Sequence, residues 1–246
     1  MEVATAGATE IAKAAERVGA VLERIATAAR RAGRDPRDVT LVAVSKAFPP
    51  ARILPVIEAG VRHLGENRVQ EAEEKIPLLP SGVTWHLVGH LQSNKINKAL
   101  ELFSMIHSVD SVALGEKIAV RAERRGRPAP VLLQVNLARK ESQYGFPEEA
   151  LEEAAARLAA LPGLRIEGLM CIAPEFDDAE LTRPYFRRLA ALHRQLRGRM
   201  TDAGHPWRHL SMGMTGDFPV AVEEGATLVR VGRAIFGDRP AAAPIG

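Results

Sequence analysis

Lys46 is a candidate nucleophilic amine because of its position in the sequence. It ends the mainly apolar run at residues 42–45 and precedes a Phe-Pro-Pro break. Only 7 of the 33 basic residues are lysine, so this position departs from the chain's general use of arginine. Removal from water and nearby cations lower the pKa of an amine, and a neutral amine forms a Schiff base with an aldehyde, which a guanidinium cannot do. The alternative is a lysine that reaches from a strand end into solvent.

Two loops that contain glycine form a candidate anion site. Residues 211–217 read Ser-Met-Gly-Met-Thr-Gly-Asp, and Gly232-Arg233 follows the last apolar run. Glycine lets backbone N–H groups approach an anion, and a helix N-terminus favours negative charge. Barrel enzymes commonly bind phosphate between the loops after strands seven and eight, so the two loops together predict a phosphate site. Two ordinary turns with helix caps are the alternative.

Three histidines, His86, His90 and His107, are predicted to lie near adjacent strand ends, where imidazoles could bind a metal ion. His86 and His90 have the four-residue spacing that pairs two imidazoles on a helix. In an extended chain the same spacing separates them by about 13 Å. That distance does not suit a shared metal ion. We therefore predict polar residues at the mouth of a barrel and no metal site.

Two carboxylates and the single cysteine are the remaining candidates for acid–base or nucleophilic chemistry. Glu66 and Asp110 could act as an acid–base pair. Glu66 could equally cap the helix predicted at residues 66–75. Cys171, at the end of the sixth predicted strand, is predicted to be a small buried residue rather than a nucleophile.

These residues fall at the ends of regularly alternating strands and helices. Apolar runs predict eight strands, at residues 40–45, 61–64, 83–88, 105–108, 131–136, 166–170, 209–212 and 227–231. Helical patterns follow the strands, and an amphipathic helix at about residues 9–32 precedes the first. Eight βα units predict a (β/α)8 TIM barrel, formed as a single domain by residues 1–246. A doubly wound open sheet is the alternative, but no glycine-rich dinucleotide fingerprint follows the first strand.

Composition narrows the possible functions. With 46% hydrophobic and 26% charged residues, the chain has an ordinary globular composition. A net charge of +3 and 4% aromatic residues offer no basic stacking surface, so no nucleic-acid partner is predicted. No run of 18 apolar residues and no signal-peptide pattern occurs, so no membrane association is predicted. A single cysteine fits the reducing cytoplasm.

Five segments, spread in order over nearly the whole chain, carry a family resemblance. They read VAVSK (42–46), GENRVQE (65–71), WHLVGHLQSNK (85–95), LSMGM (210–214) and VRVGRAIFG (229–237). Together they resemble the pyridoxal phosphate homeostasis proteins, the YggS/PROSC-type family. The resemblance implies a lone barrel of the alanine-racemase N-terminal-domain type that binds pyridoxal 5′-phosphate (PLP).

The resemblance also implies roles for individual residues. Lys46 would be the Schiff-base lysine, and Arg230 would face the pyridine nitrogen. The implied phosphate contacts are Ser211, the backbone of Met212, Gly232 and Arg233, and the implied ring neighbours are Asn67 and His86. The family often has a lysine in a Glu-Ser-Lys-x-Gly pattern where this chain has Gln143. Any role of that lysine is therefore not carried over.

A function follows from these expectations. A charged Arg230 at the pyridine nitrogen disfavours its protonation, which makes the ring a poor electron sink. Racemases of this barrel type share the arginine but add a second base from a further domain of a partner chain, for which we expect no room after the eighth strand. We predict a non-catalytic, monomeric PLP-binding protein that buffers PLP or delivers it to apo-enzymes. A racemase-like PLP enzyme, and a phosphate-sugar or metal-dependent barrel enzyme that needs no Lys46, are the alternatives.

Overall fold

Eight parallel strands close into a barrel in chain order. The computed structural model describes residues 7–140 and 142–238, so both ends of the predicted domain and Glu141 lie outside the described residues. The strands are β1 (Thr40–Val44), β2 (His63–Glu66), β3 (Thr84–Leu87), β4 (Met105–Val109), β5 (Ala129–Val135), β6 (Leu164–Cys171), β7 (His209–Ser211) and β8 (Leu228–Val231). The predicted (β/α)8 barrel is confirmed, and the doubly wound sheet is excluded because β1 pairs with β8.

A ring of helices surrounds the barrel. The helices are α1 (Ala8–Arg31), α2 (Pro50–Glu58), α3 (Val69–Lys75), α4 (Ile96–Leu102), α5 (Val112–Arg124), α6 (Leu151–Ala159), α7 (Arg183–Asp202), α8 (Phe218–Glu223) and α9 (Arg233–Phe236). Short 3-10 turns lead into α4, α6 and α7. No helix among the described residues is long and apolar enough to cross a membrane.

The amphipathic helix α1 lies where the sequence predicts it, ahead of the first strand. Its apolar face, which includes Val18, Val21 and Ile25, is buried, and the opposite face is exposed. Arg34, just beyond the helix, donates hydrogen bonds to the carbonyl oxygens of Val222 and Ala226 at 2.6 and 2.9 Å. These bonds attach the N-terminal segment to α8 and to the loop between α8 and β8, so the helix is part of the barrel's outer layer.

The position of β2 was predicted wrongly. The strand covers His63–Glu66 rather than residues 61–64, and α3 begins at Val69 rather than at residue 66. Hydrophobic periodicity placed the strand too early because its interior-facing positions are His63 and Gly65, neither of which is an apolar strand former. Glu66 consequently belongs to the strand, and its predicted role as a helix cap is wrong because Arg68 holds that position.

The barrel interior has its own small apolar core, separate from the larger core between strands and helices. Val42, Leu132, Met170 and Leu228, from four strands around the barrel, form this inner cluster and are at most 3% exposed. A Cβ atom on Gly65 would lie 3.1 Å from Val42 and 3.4 Å from Val44, so these residues share the interior. Because alternate residues of a strand face the same side, the row that contains Val42 and Val44 leads toward the barrel mouth.

Candidate functional site

Lys46 occupies a tightly held turn directly after β1. Its side chain is partly buried, and it is the second residue after β1, whose Val42 belongs to the inner apolar cluster. Ala47 has a left-handed φ of 65°, which is strained for a residue with a Cβ atom. The Ala47 N–H donates to Glu71 Oε2 at 2.9 Å, and Lys75 Nζ donates to the Ser45 carbonyl at 3.2 Å. The turn that carries Lys46 is thus held from the α3 side.

Beneath this turn lies a buried network that the sequence did not predict. Glu66 is fully buried, and its Oε1 accepts hydrogen bonds from Ser45 Oγ at 2.8 Å and from Lys75 Nζ at 2.9 Å. Burial raises the pKa of Glu66, and the nearby Lys75 ammonium acts in the opposite direction. The predicted acid–base pair does not form, because Glu66 contacts Ser45 and Lys75 whereas Asp110 contacts His90. Glu66 instead supports the Lys46 turn.

The loop after β1 is also attached to the segment after β8. The rings of Phe48 and Phe236 stack with centroids 5.1 Å apart, and both side chains are buried. Arg52 donates to the Phe236 carbonyl at 2.8 Å. A Cβ atom on Gly232 would lie 3.3 Å from the Val44 carbonyl oxygen, which shows how closely the two strand ends approach. The sequence-predicted Lys46 and Gly232-Arg233 segment are therefore brought together.

The two glycine-containing loops lie side by side and contain backbone N–H groups without acceptors among the described residues. Gly213 has a φ of 90°, and Gly232 N–H donates to Thr215 Oγ1 at 3.3 Å, which joins the loops. Within the described part of the chain, the N–H groups of Gly213, Arg233 and Ala234 have no hydrogen-bond acceptor. The Met212 N–H, in contrast, donates to the Leu228 carbonyl at 3.1 Å and is used within the sheet. Orphan N–H groups at the start of a helix are suited to an anion.

Arg230 is a buried cation at the centre of the barrel mouth. It is 5% exposed and donates to Ser211 Oγ at 2.6 Å and to the Cys171 carbonyl at 2.8 Å. No carboxylate among the described residues forms an ion pair with it, and burial lowers the pKa of its guanidinium. Asp217 interacts with it electrostatically. A buried charge without a carboxylate in ion-pair contact is costly, so this arrangement favours a ligand that accepts hydrogen bonds or carries negative charge.

Ser211 connects Arg230 to a line of histidines that crosses the barrel interior. Its hydroxyl is fully buried and lies 2.9 Å from His107 Nδ1. His107 Nε2 is 3.0 Å from His86 Nδ1, and His86 Nε2 is 3.0 Å from His63 Nδ1. Burial lowers the pKa of His86 to about 3 and that of His107 well below its ordinary value, so both are neutral near pH 7. His63 was missed because it lies within the second predicted strand, residues 61–64, and candidate residues were sought at the strand ends.

The third predicted histidine has a different environment. His90 Nδ1 lies 2.8 Å from Asp110 Oδ2, and its ring stacks on Tyr144 with centroids 3.7 Å apart. Gln143, in the same loop as Tyr144, donates to the Ile172 carbonyl at 2.8 Å. Among the described residues, no group of three or more His, Cys, Asp or Glu side chains has the arrangement of a metal site.

The remaining predicted residues lie at the edge of the mouth. Asn67 is partly buried after β2, and a Cβ atom on Gly89 would lie only 2.3 Å from its carbonyl oxygen. The loops after β2 and β3 therefore pack backbone against backbone at Gly89. The Arg233 side chain is 62% exposed and forms an ion pair with Glu175 at 3.1 Å. Cys171 is buried as predicted, and burial raises the pKa of its thiol to about 12, so it is no nucleophile.

Known proteins share this chain's fold and much of its sequence. The family described as alanine racemase, N-terminal domain, matches residues 17–240. The pyridoxal phosphate homeostasis protein of Aquifex aeolicus is 40% identical over 227 residues, which cover 92% of this chain and 98% of that protein. The protein of the same name from Escherichia coli K12 is 38% identical over 232 residues, covering 92% and 96%. The structure of PipY from Synechococcus elongatus with PLP bound has a TM-score of 0.78 and 40% identity, covering 91% of this chain and 100% of that one.

Proposed function

We propose that this chain, which belongs to the pyridoxal phosphate homeostasis protein family within the alanine racemase N-terminal domain fold, binds PLP through a Schiff base to Lys46 and buffers or delivers it without turnover. The observation that carries the proposal is the juxtaposition at the barrel mouth. Lys46 follows β1, and the buried guanidinium of Arg230 forms no ion pair with a carboxylate of the described residues. The loops after β7 and β8 contain backbone N–H groups that no acceptor among those residues uses. The PLP-bound relative PipY supports this assignment.

The residues at the mouth match the three functional groups of PLP. The phosphate fits the loops after β7 and β8, where the N–H groups of Gly213, Arg233 and Ala234 are available to an anion. Gly232, which has no side chain, would allow the phosphate to approach the backbone. The ring nitrogen is an acceptor that suits the N–H donors of Arg230. The aldehyde requires an amine, and Lys46 supplies it. Asn67, at the end of β2, borders the ring position.

Two residues of the original phosphate prediction take modified roles in this proposal. Ser211 acts through Arg230, because its buried hydroxyl already contacts Arg230 and His107. Met212 contributes only the path of its backbone, because its N–H already donates to the Leu228 carbonyl within the sheet. His86 lies below the ring position and contacts the other histidines, so it supports the site from the interior.

Arg230 is the reason to propose binding without turnover. PLP supplies an aldehyde for amines and, when its ring nitrogen is protonated, an electron sink for carbanions. Arg230 only donates hydrogen bonds and keeps its charge, so it favours an unprotonated ring nitrogen. The names of the relatives at 38–40% identity denote homeostasis proteins and not enzymes. Racemase-like catalysis is the competing function, because the barrel is shared with alanine racemase.

The proposal extends to the setting in which the protein works. Its partners are PLP and PLP-dependent apo-enzymes, which would receive the cofactor by exchange at the open mouth of the barrel. We propose a cytoplasmic location, since the one cysteine is a free thiol and reduced thiols are typical of that compartment. We also propose that the protein is a monomer. Sedimentation of the purified protein checks the monomer, and transfer of PLP to a defined apo-enzyme checks delivery.

Titration of the purified protein with PLP, followed by absorbance, tests the binding proposal. The wild type and Lys140→Ala, which alters an exposed lysine in the loop after β5, are expected to give the same near-visible band. Lys46→Ala is expected to fold and to lose that band. Pyridoxal, which lacks the phosphate, is expected to bind more weakly than PLP. Equal affinity for the two compounds would contradict the assignment of the phosphate loops.

Solvent deuterium exchange at the α-carbon of alanine, serine and threonine tests the absence of turnover. With PLP bound and protein at stoichiometric concentration, we expect no exchange at enzyme-like rates. Rates on the order of 10 s⁻¹, the typical scale of enzymatic turnover, would support the racemase function instead. If PLP does not bind at all while a phosphate ester of a sugar does, the third function class considered above becomes the better explanation.

A further inference from the structure

Five side chains from five strands form a continuous hydrogen-bonded line across the barrel interior. It runs from Arg230 on β8 through Ser211, His107 and His86 to His63 on β2, with successive distances of 2.6, 2.9, 3.0 and 3.0 Å. The three members between the ends are buried, whereas His63 is only half-buried, near the N-terminal end of the barrel. The line therefore connects the cofactor pocket with the opposite end of the molecule.

Hydrogen-bond accounting determines the direction of every bond in this line. Arg230 can only donate, so Ser211 Oγ accepts from it. Within the described residues, the only acceptor in reach of the Ser211 hydroxyl hydrogen is His107 Nδ1, which must therefore be unprotonated. A neutral imidazole carries one hydrogen, so His107 bears it on Nε2 and donates to His86 Nδ1. By the same rule, His86 bears its hydrogen on Nε2 and donates to His63 Nδ1.

We propose that His107, His86 and His63 are positioning residues for Arg230, and that they share one tautomer, with hydrogen on Nε2, in a one-way hydrogen-bond chain that makes the cofactor pocket responsive to protonation at His63. Because each neutral imidazole has one donor and one acceptor, the tautomer of one ring determines that of the next. Chains of aligned hydrogen bonds strengthen one another in a low-dielectric interior. The effect on the pocket rests on the proposed function, whereas the tautomers do not.

Protonation of His63 would reverse the chain. An imidazolium carries hydrogen on both nitrogens, so His63 Nδ1 would donate to His86 Nε2 and each following ring would have to move its hydrogen to Nδ1. Ser211 would then accept from both Arg230 and His107, and its own hydroxyl hydrogen would have no acceptor among the described residues. A buried donor without an acceptor is unfavourable, so the pocket resists this state. Burial already lowers the pKa of His63.

The groups near His63 also affect its charge. His86 on β3 and His209 on β7 interact with it electrostatically, and both are themselves shifted toward the neutral form by burial. The further charged groups nearby are Arg208 and Glu167, which act on His209, and Arg62, which donates to the carbonyls of Ile57 and Val61. His209 contacts Thr227 Oγ1 at 3.2 Å and is not part of the chain. It therefore provides a matched control at the same end of the barrel.

Nitrogen NMR of the PLP-free protein, labelled with ¹⁵N-histidine, tests the tautomers. Near neutral pH we expect His107 and His86 to carry their hydrogen on Nε2. We expect Nδ1 to be unprotonated in all three rings. His63→Asn keeps an acceptor oxygen near the position of Nδ1 and is expected to preserve the tautomers of the other two rings. His63→Leu removes that acceptor, so the His86 Nε2 signal is expected to shift, whereas His107, held from the Arg230 and Ser211 end, is expected to keep its hydrogen on Nε2. Hydrogen on Nδ1 of His107 or His86 in the wild type would overturn the proposal, whether or not PLP binds.

The pH dependence of PLP affinity tests the link to the pocket. In the wild type we expect affinity to fall about tenfold as the pH drops through the pKa of His63, in line with the loss of one buried hydrogen bond. His63→Asn cannot be protonated and is expected to lose this transition, whereas His209→Leu keeps it. A transition that persists unchanged in His63→Asn would overturn the link. If the NMR result holds but PLP fails to bind, the proposed function fails and the tautomer chain stands.

Discussion

The buried network under the Lys46 turn allows a stability prediction with a magnitude. Lys75 donates from Nζ to Glu66 at 2.9 Å, to Glu71 at 3.0 Å and to the Ser45 carbonyl at 3.2 Å. Lys75→Met preserves the aliphatic stem but leaves the fully buried Glu66 without its cation. Removing one partner of a buried pair typically destabilises a protein by about 3–5 kcal/mol. For a chain of this size that corresponds to a fall in Tm of roughly 6–20 °C.

The effect should depend on pH because Glu66 titrates. Burial raises the folded-state pKa of Glu66 even with Lys75 present, and Lys75→Met removes the cation that opposes this shift. The folded variant then binds a proton more tightly than the unfolded chain, so its stability falls as the pH rises from the ordinary carboxyl pKa to the raised one. The loss is therefore largest near neutral pH and smallest below the ordinary pKa of the carboxyl group.

Chemical denaturation of Lys75→Met at several pH values measures this effect. Lys98→Met is the matched control, because Lys98 forms ion pairs with Glu73 and Glu101 at 3.0 and 3.2 Å but is 40% exposed. Exposed pairs contribute little, so this control should stay close to the wild type. Adding Glu66→Gln to Lys75→Met should recover part of the loss. A loss in Lys75→Met no larger than that in Lys98→Met would refute the reasoning.

Three further predictions concern single positions. Gly168→Ala should abolish folding, because φ is 147° and the new Cβ atom would lie 1.9 Å from the His209 carbonyl oxygen. Gly198→Ala, in α7 with open space around the new Cβ atom, should express and be at least as stable as the wild type. Cys171 should not react with a thiol reagent at pH 8 until the protein is unfolded, because burial raises the pKa of its thiol to about 12. Gly232→Ala should weaken PLP binding in an absorbance titration more than pyridoxal binding, because its Cβ atom would hinder the phosphate; equal weakening would contradict this.

The fold was largely predictable because the hydrophobic pattern of each strand and helix can be read from its own short segment of sequence. Strand β5 is a nearly continuous apolar run, as expected for a strand buried on both faces, and its position was predicted within two residues. Gly60 follows α2 with a φ of 100°, a left-handed conformation that is common for a glycine directly after a helix. The position of β2 was predicted wrongly because its interior-facing residues are His63, which joins the hydrogen-bond chain, and Gly65, which has no side chain. Hydrophobic periodicity detects only apolar side chains.

The site was predictable in part, for a different physical reason. Lys46 and the loops after β7 and β8 could be placed at the mouth because all parallel strands of a barrel end on one face. The contacts of Ser211 with His107 and Arg230 could not be predicted, since they join residues from three strands across the interior. Such contacts depend on the tilt and stagger of the strands, which the sequence of one strand does not reveal.

Chemical trapping of PLP on the protein tests the central claim most directly. PLP-loaded protein is reduced with borohydride, digested and mapped by mass spectrometry, with Lys140→Ala as a control that retains the proposed attachment site. We predict one phosphopyridoxyl adduct per chain, carried by Lys46 in the wild type and in the control, and no stoichiometric adduct in Lys46→Ala. A stoichiometric adduct on any other lysine, or none at all, would contradict the assignment of Lys46 as the PLP attachment site.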